Sequence, residues 1–210
     1  VAKLKAPLMS LGAAGQLGRA LVFFPWKGLN VVREYVIPSN PKTALQTTQR
    51  SYVTAAVAMI HTAQADADHP LTSEDQIAYS ALAQAKGKIM TWFNMAVKLW
   101  VDVAVAAKTS CVYSSINFVS KAAAACSINL FLNEETGSDL AAGKFYFGTS
   151  KTNLIHSTAA DIIAGVAAQI IGVDLSAFLT AGTKYYMQFR PDAGDDCVGA
   201  DSGIYSFVAE

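Results

Sequence analysis

Charge is scarce in this chain. Of 210 residues only 15% are Asp, Glu, Lys or Arg, while 52% are apolar. A solvated surface normally carries more charge, so the composition points to a subunit that buries much of its exterior in an assembly. Global disorder, which needs low hydrophobicity and high net charge, is excluded. Long apolar runs are missing too. No stretch approaches the ~20 uninterrupted apolar residues of a transmembrane helix, so no membrane span is expected. The first ten residues, Val-Ala-Lys-Leu-Lys-Ala-Pro-Leu-Met-Ser, lack the apolar core of a secretory signal. The expectation is that a signal has been removed or that the chain is made without one.

Metal-binding and catalytic residue types are also thin on the ground. Cys111, Cys126 and Cys197 show no CxxC spacing and no nearby His, which argues against zinc. A Cys126–Cys197 bridge and three separate buried thiols both remain open. His61, His69 and His156 are scattered and match no metal-helix spacing. Gly12, Gly15 and Gly18 have the spacing of neither phosphate-binding fingerprint and are not placed at a strand-to-helix turn. No nucleophile stands beside a base and no carboxylates pair, so no catalytic residue, no cofactor site and no enzyme are expected. One cluster qualifies this. Asp192, Asp195, Asp196 and Asp201 crowd four carboxylates beside two glycines, a composition that suits a hard cation. The order is not that of an EF-hand loop and no Glu closes it. A solvated acidic loop is the default, with calcium as a weak candidate.

The informative stretch is 15–50. Two runs rich in Val, Phe, Tyr and Ile, at 17–24 and 29–37, flank Trp26-Lys27-Gly28, which predicts a hairpin with Gly where positive φ is needed. Alternation in the second run leaves both faces partly apolar, the pattern of a hairpin sandwiched between partners. Asn40-Pro41 reads as an N-cap and first-turn Pro, predicting a helix over 41–64. Thr72-Ser-Glu-Asp75 is similar to a capping box and opens a second helix over 73–107, which Gly87 can break. Its aromatic stripe includes Trp92 and Trp100. Charge is uneven as well. Residues 1–50 hold seven basic side chains against Glu34 alone, net +6, so a neutral chain leaves −6 for the remainder. A basic end meeting an acidic end of a neighbouring copy is preferred over a nucleic-acid arm. The expected assembly residues are Leu21, Phe23, Phe24, Trp26, Arg33, Tyr35, Trp92 and Trp100.

Beyond Thr109 the period changes to two, with expected strands at 112–119, 125–132, 144–148, 165–173, 183–190 and 203–208, the signature of an antiparallel sandwich. The overall expectation is an α+β chain. An N-terminal hairpin with two long helices occupies 1–108, and an antiparallel sandwich occupies 109–210. Residues 110–210 resemble a fibronectin type III domain. The match rests on 125–132, on Lys144-Phe-Tyr-Phe-Gly-Thr-Ser150, on Leu179-Thr-Ala-Gly-Thr-Lys-Tyr185 and on Ser202-Gly-Ile-Tyr-Ser-Phe207. The resemblance implies a Tyr185 hydroxyl bonded back to the chain, followed by an alternating strand through Met187 and Phe189.

The N-terminal pattern resembles uncharacterised phage and bacterial proteins of structural type. It runs Trp26-Lys27-Gly28-Leu29-Asn30, Arg33, then Asn40-Pro41-Lys42-Thr43 with Gln46, Gln49 and Arg50. This resemblance implies a virion or extracellular structural role. The expected partners are other copies of the chain and other virion or surface proteins, with no nucleic acid. The alternative is a surface-displayed adhesion or carbohydrate-binding module, with Tyr146, Tyr185, Tyr186 and Tyr205 available to stack on sugars.

Overall fold

The computed structural model describes residues 14–40, 42–123, 126–134, 140–163, 169–172 and 178–210. The glycine at 12, the Pro41 cap position and parts of the strands expected at 125–132 and 165–173 lie outside the described residues. The chain divides into two compact units, residues 1–43 and 44–210.

Unit 1 is a three-stranded antiparallel sheet of order β1-β2-β3, with β1 at Gly15–Leu17, β2 at Leu21–Trp26 and β3 at Leu29–Glu34. β2 and β3 pair up to Trp26↔Leu29, leaving Lys27 and Gly28 as a two-residue turn. Both have positive φ, 48° and 81°, which is what a type I′ turn demands. Its handedness matches the strand twist, so this turn fixes the register of the pair.

Unit 2 joins three helices to a seven-stranded sheet. The helices are α1 Ala44–Ala65, α2 Ser73–Ala85 and α3 Trp92–Val105. Two long helices were expected, and the second is in fact two. α2 stops where Gly87 takes φ 66°, with Lys88 N–H donating to Ala83 C=O and Gly87 N–H to Gln84 C=O. That pair of bonds closes a Schellman motif, so the glycine ends the helix rather than bending it. Thr91 then caps α3 by accepting from Asn94 N–H. α3 ends in the same way on Ala107, whose φ of 56° places a methyl-bearing residue where glycine is preferred. The first helix starts at Ala44, three residues later than the Pro41 reading gives.

The strands are β4 Cys111–Ser120, β5 Ser127–Glu134, β6 Gly143–Gly148, β7 His156–Ile163, β8 Gln169–Gly172, β9 Lys184–Pro191 and β10 Tyr205–Val208. Their order is β10-β9-β6-β7-β8-β5-β4, all antiparallel. β7 was not expected. Its first half, His156 to Ala159, pairs with β6, and its second half, Ala160 to Ile163, pairs with β8. The sheet folds over at this strand. Tyr113 of β4 meets Phe189 of β9 with ring centroids 5.4 Å apart, and Phe118 meets Phe207 at 5.2 Å, so strands far apart in the order face one another. Between these sandwich-like layers lies a core of Tyr113, Ile128, Leu130, Phe145, Phe147, Met187 and Phe189. A second core, with Ile60, Leu82, Met95 and Trp100 from the helices, takes in Val112 of β4 and Ile204, the residue before β10. The helices are therefore packed on the seven-stranded sheet, and the expected boundary at 108/109 falls inside unit 2.

Candidate assembly surface

Strand alternation and register sort the side chains of unit 1 onto two faces. Leu17, Leu21, Phe23, Val32 and Glu34 share one, and Val22, Phe24, Trp26, Leu29, Val31 and Arg33 share the other. Phe23 alone is buried among described residues 14–40. Trp26 is 59% exposed, Leu29 69% and Val32 45%, while Leu21 is also exposed. Past β3, Val36 and Ile37 are each 70% exposed. The Arg33 guanidinium lies over the Phe24 ring, 5.4 Å from its centroid, and covers part of the second face. Tyr35 is half-buried, and its N–H donates to Ala20 C=O at 2.8 Å. Six of the expected assembly residues thus occur together on one small sheet.

The other two belong to unit 2 and differ in kind. Trp92 is half-buried, packs edge-on against Phe93, and lines a shallow depression with Ile77, Ala81 and Gln84. Trp100 is only 8% exposed and sits in the helical core, where its ring fills space between elements. It is a packing residue. The first two turns of α1 are exposed throughout, with Leu45 81% accessible, so the uncovered apolar surface of this helix is concentrated at its start.

The acidic cluster is taken apart by the fold. Asp195 is buried and its carboxylate accepts from the backbone N–H groups of Ala141, Ala142 and Cys197. Asp196 faces Lys108 at 3.6 Å and Asp201 faces Lys86 at 3.8 Å. Burial raises the Asp201 pKa, with Lys86 and then Arg190 pulling the other way. Among the described residues no three His, Cys, Asp or Glu side chains gather as a ligand set for a metal. All three cysteines are buried, and burial pushes the Cys126 thiol up to about 11. His61 meets Gln64, while His69 and His156 stack on Phe131 and Phe178.

Of the four tyrosines considered for sugar stacking, Tyr185 and Tyr205 are buried. Tyr146 and Tyr186 are half-buried, with Arg190 and Lys184 respectively set over their rings. The Tyr185 hydroxyl accepts from Thr180 N–H at 3.0 Å and donates to Phe178 C=O at 3.2 Å, pinning the connection that leads into β9.

One arrangement had little sequence signal. Asp75 is fully buried, and its carboxylate gathers donors from α2, β4 and β10. Only the capping-box spacing to Thr72 hinted at it. Among the described residues no helix is long and apolar enough to cross a membrane. Compared with protein-family models, with curated proteins and with solved structures, the chain has no match.

Proposed function

We propose that this chain is a non-enzymatic structural subunit that assembles with other copies of itself through its N-terminal sheet and helices, in a virion or an extracellular filament. One observation carries the reading. A three-stranded sheet presents apolar side chains on both faces, and only Phe23 among described residues 14–40 is buried. A sheet needs a second layer to bury a face, and exposed apolar surface of this kind marks an interaction site. Charge supports the same direction. Residues 1–43 hold six basic side chains against Glu34, net +5, so residues 44–210 carry −5 in a neutral chain. Docking of the basic unit on the acidic unit of a neighbour is heterologous and propagates into rings or filaments.

The β-portion of unit 2 is read as a fibronectin type III-like sandwich. Supporting this are the pairing of β4 with β5 and β5 with β8 on one side, and of β6 with β9 and β9 with β10 on the other. The Tyr185 corner adds to it. Such a sandwich suits a rigid spacer that displays an assembly element, although fold alone names no activity. The choice of virion or filament rests on the N-terminal sequence resemblance.

The test compares the full chain with a deletion of residues 1–38 by light scattering and negative-stain microscopy. The full chain forms large species, and the deletion is monomeric with a cooperative unfolding transition. A monomeric full chain at tens of micromolar, or undiminished assembly by the deletion, overturns the proposal.

A further inference from the structure

The two edges of the unit 1 sheet are not equivalent, and the difference is set by hydrogen-bond phase. In an antiparallel pair, opposed residues alternate between exchanging two hydrogen bonds and exchanging none. Tyr35 N–H donates to Ala20 C=O, which places 35 and 20 among the bonded pairs. Stepping by two along the register, Arg33↔Val22, Val31↔Phe24 and Leu29↔Trp26 are bonded as well. Glu34, Val32 and Asn30 are the unbonded partners of Leu21, Phe23 and Pro25. Their backbone N–H and C=O groups therefore point away from β2, toward the free edge of β3.

The opposite edge strand, β1, is only three residues long. β1 covers Leu21 to Phe23, and beyond it the next outward residue of β2 is Pro25, which has no N–H to offer. On β3 nothing equivalent intervenes between the Gly28 turn and Pro38. No proline, bulge or covering strand blunts that edge among the described residues, and an edge left in this state templates strand addition.

We infer that the β3 edge pairs antiparallel with β3 of a second copy, joining two unit 1 sheets into one of six strands. The inference rests on the proposal that unit 1 drives assembly and adds which surface is used and in what register. The occupant is a second copy because the edge is complementary to itself. With Val32 opposite Val32 of the second copy, Asn30 falls opposite Glu34 and Glu34 opposite Asn30. All three outward residues then exchange two hydrogen bonds each with their partners. Charge disfavours one of the neighbouring registers. Sliding by one residue on each strand sets Arg33 directly opposite Arg33, and like charges in that position are destabilising. The Val32-centred register instead puts Arg33 opposite Val31. The interface is isologous and closes as a two-fold, leaving both sheet faces free for the head-to-tail contact.

Two full-length variants test the inference. Val32→Pro removes the central outward donor while leaving every hydrogen bond to β2 in place, and it should abolish edge pairing. Val32→Cys should give a single covalent dimer on mild oxidation, with Arg33→Cys and Glu34→Cys giving none, since the native cysteines are buried. The covalent test holds even where the proline disturbs the hairpin. Dimers from Val32→Cys and not from the flanking positions support the inference. Cross-linking by Arg33→Cys instead, or no dimer from Val32→Cys in a chain that still assembles, overturns it while leaving the proposed assembly role standing. Loss of all assembly by the wild-type chain sinks that role. Salt separates the two contacts further. Edge pairing joins two units of like charge and should tighten as ionic strength rises, whereas docking on the acidic unit weakens.

Discussion

Asp75 and Ser115 lie forty residues apart, yet the Asp75 Oδ2 accepts the Ser115 N–H at 2.9 Å. The same oxygen accepts from the Thr72 N–H and hydroxyl, each at 2.8 Å, and Oδ1 accepts from the Tyr205 hydroxyl at 2.9 Å and the Ile116 N–H at 3.4 Å. β4 makes room for this at an irregularity between Ser114 and Asn117, where Ser115 takes φ 56° and two successive N–H groups turn inward. A backbone turned this way forms a small anion-binding concavity, and here the chain's own carboxylate fills it.

The consequence is a large, local stability effect. Asp75→Ala strands donors from the α2 cap, β4 and β10 in a buried site, and each buried donor left unpaired costs about 1–3 kcal/mol. Thr72→Ala removes the cap and the one hydroxyl that Thr72 gives to Asp75, leaves the other donors paired, and should cost ~1 kcal/mol. Urea denaturation of the two variants checks the ranking. Equal, small losses would mean that the carboxylate is dispensable to the helix–sheet contact.

Legibility in the sequence followed locality. The hairpin was readable because Trp26-Lys27-Gly28 encodes its turn within three residues, and the α2 start because Thr72 and Asp75 encode a cap within four. β7 was not, since His156-Ser-Thr-Ala-Ala-Asp-Ile-Ile alternates neither cleanly in polarity nor in size. Exposure along β7 does alternate, with His156, Thr158, Ala160 and Ile162 half-buried, but that inward set mixes polar, small and apolar residues while Ile163 is exposed, so polarity does not display the period. The breakdown of the Asp192–Asp201 cluster was equally hidden, because its partners, Ala141, Lys86 and Lys108, come from elsewhere in the chain. Trp100 failed as a surface residue for a related reason. The helical stripe identifies a buried face and does not say whether its cover is the same chain or another.

Asp201 gives the fold a pH dependence of definite sign. Burial raises its pKa above the ordinary aspartate value of 3.8, with Lys86 offsetting part of the effect. The folded state then holds the proton more tightly than the unfolded state, so ionisation favours unfolding. Stability relative to Asp201→Asn should fall as pH rises from about 3.8 through the folded pKa, and level off above it. Denaturation midpoints of wild type and variant, measured across that range, give the difference. A difference that grows in favour of the wild type would mean that attraction to Lys86 outweighs burial.

Gly203 marks where α2 meets the strand edge with no side chain between them. Ile204 N–H donates to Ala78 C=O at 2.9 Å, a bond from the strand edge to a helix carbonyl. A Cβ on Gly203 would lie 2.7 Å from both the carbonyl carbon and Cβ of Ala78, and 2.8 Å from Tyr79 N. These are helix atoms that cannot rotate aside, so Gly203→Ala must push α2 off the sheet or strain the strand, at about 1–3 kcal/mol. Gly194→Ala, where the added methyl meets nothing within 4 Å, is the matched control and should be close to neutral. Thermal unfolding of the pair, with amide exchange at Ile204, reads both the stability loss and the loosened bond. Exchange at Ile204 unchanged in a destabilised Gly203→Ala would place the strain elsewhere in the chain.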